Sequence, residues 1–264
     1  QKLAPEVAVV SAERLRDELT RLLTEGAARR GFELLDQSGL LAVLLPGVAK
    51  MKGVEQPPQF HPEGDVWVHT CLMLEMLAPG CSTTLAWGVL LHDVGKPPTF
   101  APPSEPGGRI RFDGHVEVGM RMAEEICRRF RFSNEESEQI VTLVEHHLRF
   151  KDVPQMKAST LKRFLRLPRF EEHLELHRLD CLSSHGMLDN YNFVRRFLEE
   201  TPPEQVRPPR LITGDDLKQL GLVPGPQFRS LLQAVEDAQL EGSLTSREGA
   251  LEYVRAKVAG SIGN

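Results

Sequence analysis

The chain of 264 residues has no Cys-x-x-Cys pair: Cys71, Cys81, Cys127 and Cys181 are scattered along it. No local thiol pair is present to bind a metal or cycle between redox states, and the chain reads as reduced and cytoplasmic. No apolar run approaches the ~20 residues of a membrane helix, and no signal peptide is visible. Basic residues are not in excess. Lys and Arg number 32 against 37 Asp and Glu, a formal net charge of −5, so no global positive field attracts nucleic acid and only local patches could do so. Aromatics are sparse at 6%, and neither a repeat nor a low-complexity array is found. There is no initial Met either: the chain opens on Gln1 and reads as a piece of something longer. The rest is ordinary globular balance, 41% hydrophobic and 26% charged, enough for one sizeable core or two smaller ones.

Helix signals dominate. In "VSAERLRDELTRLL", Ser11 can cap a helix whose first turns carry carboxylates and whose Leu15, Leu19, Leu22 and Leu23 form one stripe, with Gly26 ending it. "AARRGFELLDQSGLLAVLLPGV" predicts a second helix, a break at Ser38–Gly39, and a short apolar helix stopped by Pro46. Residues 50–64 are a Pro/Gly-rich connector. Beyond it Asp65 can cap "VWVHTCLMLEML", and Ser82 or Thr83 can start "TLAWGVLLHD". "RIRFDG", residues 109–114, alternates and is the one fair strand candidate. "HVEVGMRMAEEICRRF", "SNEESEQIVTLVEHHL", "FEEHLELHRLDCL" and "NYNFVRRFLEE" are helical in period, as are "TGDDLKQL", "PQFRSLLQAVEDAQL" and the stretch capped by Ser246. The expected fold is all-α, with boundaries near 57 and 207.

"LLHDVGKP" sets His92 beside Asp93 at the end of an apolar run. Adjacent helical residues point about 100° apart, so a straight helix cannot aim both at one partner. Gly95 and Pro97 end the helix within a turn and remove that obstacle. A metal ion, a His–Asp hydrogen-bonded pair, or a merely capped helix end would each account for the pair. His69, His92, Asp93, His115, the His146–His147 pair and Asp180 lie on separate predicted segments, several of them on inward faces. Imidazole with carboxylate suits a divalent ion such as Mn, Fe, Co, Ni or Zn. Of the adjacent histidines, His147 shares a face with Ile140 and Val144 and is the expected ligand. His173, His177 and Asp180 also share a helix face. Asp180 is the expected ligand, and His177 would stand behind it or contact substrate. His61, His173 and His185 are read as hydrogen-bonded core or boundary histidines.

The pattern His69, His92–Asp93, Asp180 resembles the HD superfamily of metal-dependent phosphohydrolases. The resemblance implies a helical bundle and one or two divalent ions, Mg included. Asp93 would bridge, with His69, His92 and Asp180 on one ion and His115 and His147 on the other. Lys96 would neutralise phosphate charge, or balance the end of its helix. The flanks narrow the likeness. "VSAERLRDEL" with "LLDQSGLLAVLLPGV", "HPEGDVWVHTCLMLEML", "LAWGVLLHDVGKP", "RIRFDGH" and "LITGDDLKQLGLVPGP" resemble bacterial tRNA nucleotidyltransferases, the CCA-adding and poly(A) polymerase family. This implies neck and body helices over 1–57, an HD domain over 58–207 and a helical tail over 208–264.

That family's nucleotide-adding head carries a Gly-Ser turn followed by paired metal-binding Asp residues, and no such motif occurs in these residues. Nucleotide addition is therefore not assigned to them: either a head lies N-terminal to this chain and would be its partner, or the chain is a headless relative. Lys162, Arg163, Arg166 and Arg169, interleaved with Phe164 and Phe170, would either hold tRNA phosphates or form a solvated helix face. Two functions follow: an HD phosphohydrolase acting on small phosphoesters, 2′,3′-cyclic nucleotides or RNA 3′ ends through Asp93 and Lys96, or a tRNA-binding body whose HD centre is vestigial or structural.

Overall fold

The computed structural model describes residues 10–105 and 108–262. Four helices come first: α1 (Ala12–Thr24), α2 (Ala28–Ser38), α3 (Leu40–Leu44) and α4 (Pro46–Ala49). After the connector come α5 (Val66–Glu75), α6 (Thr83–Leu91), the single turn α7 (Lys96–Thr99), α8 (His115–Arg129) and α9 (Asn134–His146). The chain continues from α9 as a 3-10 helix over His147–Gln155. Then follow α10 (Ala158–Phe164), α11 (Phe170–Ser183), α12 (Asp189–Glu200) and α13 (Pro203–Val206). The last are α14 (Gly214–Gln219), α15 (Pro226–Leu240) and α16 (Arg247–Ile262). The all-α expectation holds among the described residues. The alternation at 109–114 yields only an isolated antiparallel bridge, Ala101 with Arg111. Its flanks explain this: prolines precede it, and left-handed Gly114 (φ 77°) opens α8 directly after, leaving no room for a ladder.

The caps are where the sequence puts them. Ser11 accepts from the Arg14 amide, Asp65 from that of Val68 and Ser82 from that of Leu85. Ser133 and Glu136 close a reciprocal capping box at the start of α9. Pro46 does more than stop α3. It stands at the first position of α4, where its missing N–H costs nothing.

Spatially the chain forms two compact units. One runs to Phe150 and resumes over Arg169–Tyr191; the other takes Lys151–Pro168 and the chain from Asn192 onward. In the first, α6 is buried from Thr84 to Leu91, as a helix apolar all round must be. It packs against α1, α5, α9 and α11, and α8 covers α9. Trp87, fully buried, donates its indole N–H to Thr20 Oγ1 (2.9 Å) and ties α6 to α1. Truncating a fully buried residue such as Leu90 to alanine costs about 2–5 kcal/mol. In the second unit α15 packs against α10, α14 and α16, around Ile212, Leu217, Val235, Ala250 and Val254. No helix among the described residues is long and apolar enough to cross a membrane.

Candidate metal centre

α6 ends at Leu91, and His92 and Asp93 lie in the turn before α7, so both can face one space. α5 brings His69, the first turn of α8 brings His115, the end of α9 brings His147 and the last turns of α11 bring Asp180. All are buried except Asp180, whose side chain is one-fifth exposed. Two groups form within this space, His69–His92–Asp180 and Asp93–His115–His147. Asp93 Oδ2 is 3.1 Å from His92 Nε2, and Asp93 Oδ1 is 3.7 Å from His147 Nε2 and 3.9 Å from His115 Nε2. His69 Nε2 is 3.2 Å from Asp180 Oδ1.

The ring orientations follow from the helix ends. The last carbonyls of a helix lack intrahelical partners. His92 Nδ1 takes Val89 O (2.8 Å) and His147 Nδ1 takes Val144 O (2.7 Å). His115 does the same with Phe112 O (2.8 Å), just before α8. His69 cannot follow suit. The carbonyl three residues before it, Val66 O, accepts the Thr70 hydroxyl, and His69 Nδ1 lies 2.7 Å from Glu63 Oε1 instead.

With Nδ1 engaged in all four, every Nε2 is turned inward. The Nε2 atoms of His69, His92, His115 and His147, together with Asp93 Oδ1, are buried without a hydrogen-bond partner. Buried polar atoms are rarely left so, and here five of them converge. The 3.1 and 3.2 Å approaches to Asp93 and Asp180 lack hydrogen-bond alignment. They match the spacing of two ligand atoms on one ion, roughly 2.9–3.4 Å. Nitrogen and carboxylate donors of this kind fit a first-row divalent ion.

The electrostatics of the metal-free protein agree. Burial would raise the Asp93 carboxyl, but the charges of Lys96, His92 and His147 hold it well below the usual carboxylate range. Burial would likewise raise Asp180, and His69, its Nε2 3.2 Å from the carboxylate, keeps it low. Burial pushes His147 down to about 4 and lowers His115. For His69 burial is outweighed by Asp180 and Glu63, which hold it up to about 9.

Lys96 is buried, with Nζ 2.7 Å from both Asp93 Oδ2 and Gln56 Oε1 and 5.4 Å from the Phe112 ring centre. Two of its three N–H groups are thus committed, to Asp93 and to Gln56. His146 faces His173 (ring centres 6.0 Å apart), and His177 stacks on Phe150 at 4.4 Å with Cys181 Sγ 3.6 Å from its ring. Neither joins the two ligand groups. His61, read from the sequence as a boundary histidine, stands edge-on to His69 (4.9 Å) with Nδ1 2.9 Å from Glu63 Oε1. Glu63 was missed outright. It sits in an irregular connector where no periodicity marks an inward face, and only its place two residues before the α5 cap hinted at its position.

The basic stripe is spent within the protein. Lys162 donates to Leu240 O, Arg163 pairs with Glu236 and Asp237, and Arg166 pairs with Glu236 and donates to Val206 O. In the other unit, Arg169 pairs with Glu135 and donates to Thr84 Oγ1. A phosphate would have to displace a carboxylate from three of the four.

Residues 1–52 match the family described as "Probable RNA and SrmB- binding site of polymerase A", and residues 66–182 match the HD domain. A CC-adding tRNA nucleotidyltransferase of Thermus thermophilus is 32% identical over 255 residues, covering 94% of this chain and 57% of the relative. An A-adding tRNA nucleotidyltransferase of Deinococcus radiodurans is 31% identical over 256 residues, 92% of this chain and 58% of the relative. A multifunctional CCA protein of Alkalilimnicola ehrlichii is 32% identical over 203 residues, 74% and 48% of the two. The chain thus spans between half and three fifths of the length of the first two relatives. A matched RNA-binding segment, a matched HD domain and similarity running along nearly all its length mean that this chain belongs to the tRNA nucleotidyltransferase family, of which it carries the helical body and the HD domain.

Proposed function

We propose that the HD domain is a metal-dependent phosphohydrolase acting on phosphomonoesters or phosphodiesters such as 2′,3′-cyclic nucleotides or RNA 3′ ends. The observation that carries this reading is the convergence of three partnerless imidazole Nε2 atoms, those of His92, His115 and His147, on the Asp93 carboxylate, with that of His69 against Asp180. His69, His92 and Asp180 would hold one divalent ion, His115 and His147 a second, with Asp93 serving both. Bound ions of this kind supply an activated water and charge stabilisation for in-line displacement at phosphorus. The chain's own part is to fix the ligands before substrate arrives: helix-end carbonyls set the ring faces of His92 and His147, and the loop carbonyl of Phe112 sets that of His115. Lys96 holds one oxygen of Asp93 in place and offers its remaining N–H to the phosphoester.

The helical body would grip tRNA, a proposal that rests on the RNA-binding family match over residues 1–52. The three-part division at 57 and 207 describes that organisation, and a nucleotide-adding head N-terminal to the body would be its partner. The test is direct. Protein purified without chelator is assayed for metal content and for hydrolysis of bis(p-nitrophenyl) phosphate and 2′,3′-cyclic AMP. Metal with turnover supports the hydrolase; tRNA binding with neither metal nor turnover supports the body as a binding module alone.

A further inference from the structure

Three of the four inward imidazoles lean on neutral carbonyls, and one leans on a charge. His69 Nδ1 lies 2.7 Å from Glu63 Oε1, a side chain only 7% exposed. The same oxygen is 2.9 Å from His61 Nδ1, while Glu63 Oε2 is buried without a partner. Ser183 Oγ, 3.3 Å from His69 Nδ1, is the longer contact and donates its own proton to Asp180 O. His61, Glu63 and His69 also lie close enough to suggest an ion of their own. The distances speak against that. At 2.7 and 2.9 Å the atoms are at charge-assisted hydrogen-bond separation, and the shorter is closer than two ligand atoms on one ion are held.

A carboxylate behind a ligating imidazole fixes the tautomer, orients the ring and makes the far nitrogen a stronger donor. A carbonyl does the first two without adding charge. The two halves of the centre therefore differ in kind. His69, His92 and Asp180 have Glu63 behind them, while His115 and His147 have only Phe112 O and Val144 O. We propose that Glu63 is a positioning residue that holds His69 with Nε2 toward the centre, and that the ion held by His69, His92 and Asp180 is thereby the tighter of the two. This rests on the metal-centre reading above.

Titration of the metal-free 264-residue chain with Co²⁺ at pH 8, followed by visible absorbance against a competing chelator, tests it. Wild type is expected to load in two steps. Glu63→Ala should weaken the first by about 10- to 100-fold, the usual effect of losing such a partner, and leave the second unchanged. Glu63→Gln still offers an oxygen to the His69 N–H and should recover part of the loss, with an altered Co²⁺ spectrum and an unchanged melting temperature without metal. A merely structural Glu63 would lower both steps or the melting temperature. Two unaltered steps in Glu63→Ala, or equal weakening of both, overturn the inference while the metal centre stands. A wild type that takes up no Co²⁺ overturns both.

Discussion

Gly95→Ala is the change whose consequences can be followed furthest from the coordinates. Gly95 has φ −82° and ψ −11°, a conformation open to any residue, so backbone freedom is not why it is glycine. A Cβ there would stand 2.0 Å from His115 O, 2.6 Å from Gly119 N and 3.0 Å from Gly119 Cα. All three are backbone atoms of α8, and a Cβ on Gly119 would in turn stand 3.3 Å from Val144 Cγ1 of α9. Real Cβ contacts do not fall below 3.0 Å, so α8 must withdraw by at least 1.0 Å from the turn that carries Asp93. His115 Nε2 is 3.9 Å from Asp93 Oδ1, just inside the ~4.2 Å that two ligand atoms on one ion can span at about 2.1 Å each. A withdrawal of that size takes it beyond reach.

The ion shared by Asp93, His115 and His147 should therefore be lost, and that held by His69, His92 and Asp180 retained. Overpacking costs about 1–3 kcal/mol, and the stiffer unfolded chain returns about 0.4–1 kcal/mol, so a fall of a few degrees in Tm is expected. Co²⁺ titration and thermal unfolding read both effects, and hydrolysis of bis(p-nitrophenyl) phosphate should drop at least tenfold. Gly119→Ala meets nothing closer than 3.3 Å and should be mild by comparison. Two Co²⁺ equivalents with an unchanged Tm in Gly95→Ala would refute the reasoning.

Asp93→Asn should abolish hydrolysis and weaken both ions while the protein still folds. Asp93→Ala should in addition destabilise it by about 3–5 kcal/mol, because Lys96 is then buried without its anion; full turnover in Asp93→Asn would refute the two-ion reading. The His69 imidazole is held up to about 9, above its ordinary value. Its contribution to metal-free stability is thus complete below about pH 6.5 and lost as pH rises through 9, so Tm of the metal-free protein should fall between pH 7 and 9, and less so in Asp180→Asn. Neutralising Lys162, Arg163, Arg166 and Arg169 together should first show as a lower Tm, since they tie the protein to itself. If they also touch phosphates, the salt slope of tRNA binding should flatten by roughly 0.7–0.9 per lost contact, and an unchanged slope removes them from the RNA surface. These residues alone should add no CMP or AMP to a tRNA 3′ end supplied with ATP, CTP and Mg²⁺; template-independent extension by pure material would overturn that.

Local rules written along the chain settled a good part of this protein. The caps at Ser11, Asp65, Ser82 and Ser133, the break at Gly39 and the stop at Pro46 depend on neighbours a few residues away, and the helices begin and end accordingly. Inward His69, His92, Asp93 and Asp180 were visible for the same reason, as polar residues on apolar stripes. The 109–114 alternation misled because a strand needs a partner, and period alone cannot supply one.

What remained belonged to distance in space. Gly95 reads in the sequence as a helix end, and only the crossing of α8 shows that it is a contact point. Lys162, Arg163 and Arg166 read as a free basic face, because the glutamates and carbonyls that hold them come from segments 40 to 78 residues further on. Glu63 and His61 carry no periodic signal at all, lying in an irregular connector drawn against the metal centre by His69 of α5 and by the Lys96–Gln56 bond. Periodicity and capping are local and legible. Which buried nitrogen faces which oxygen is fixed by the packing of five segments at once, and that only the tertiary structure decided.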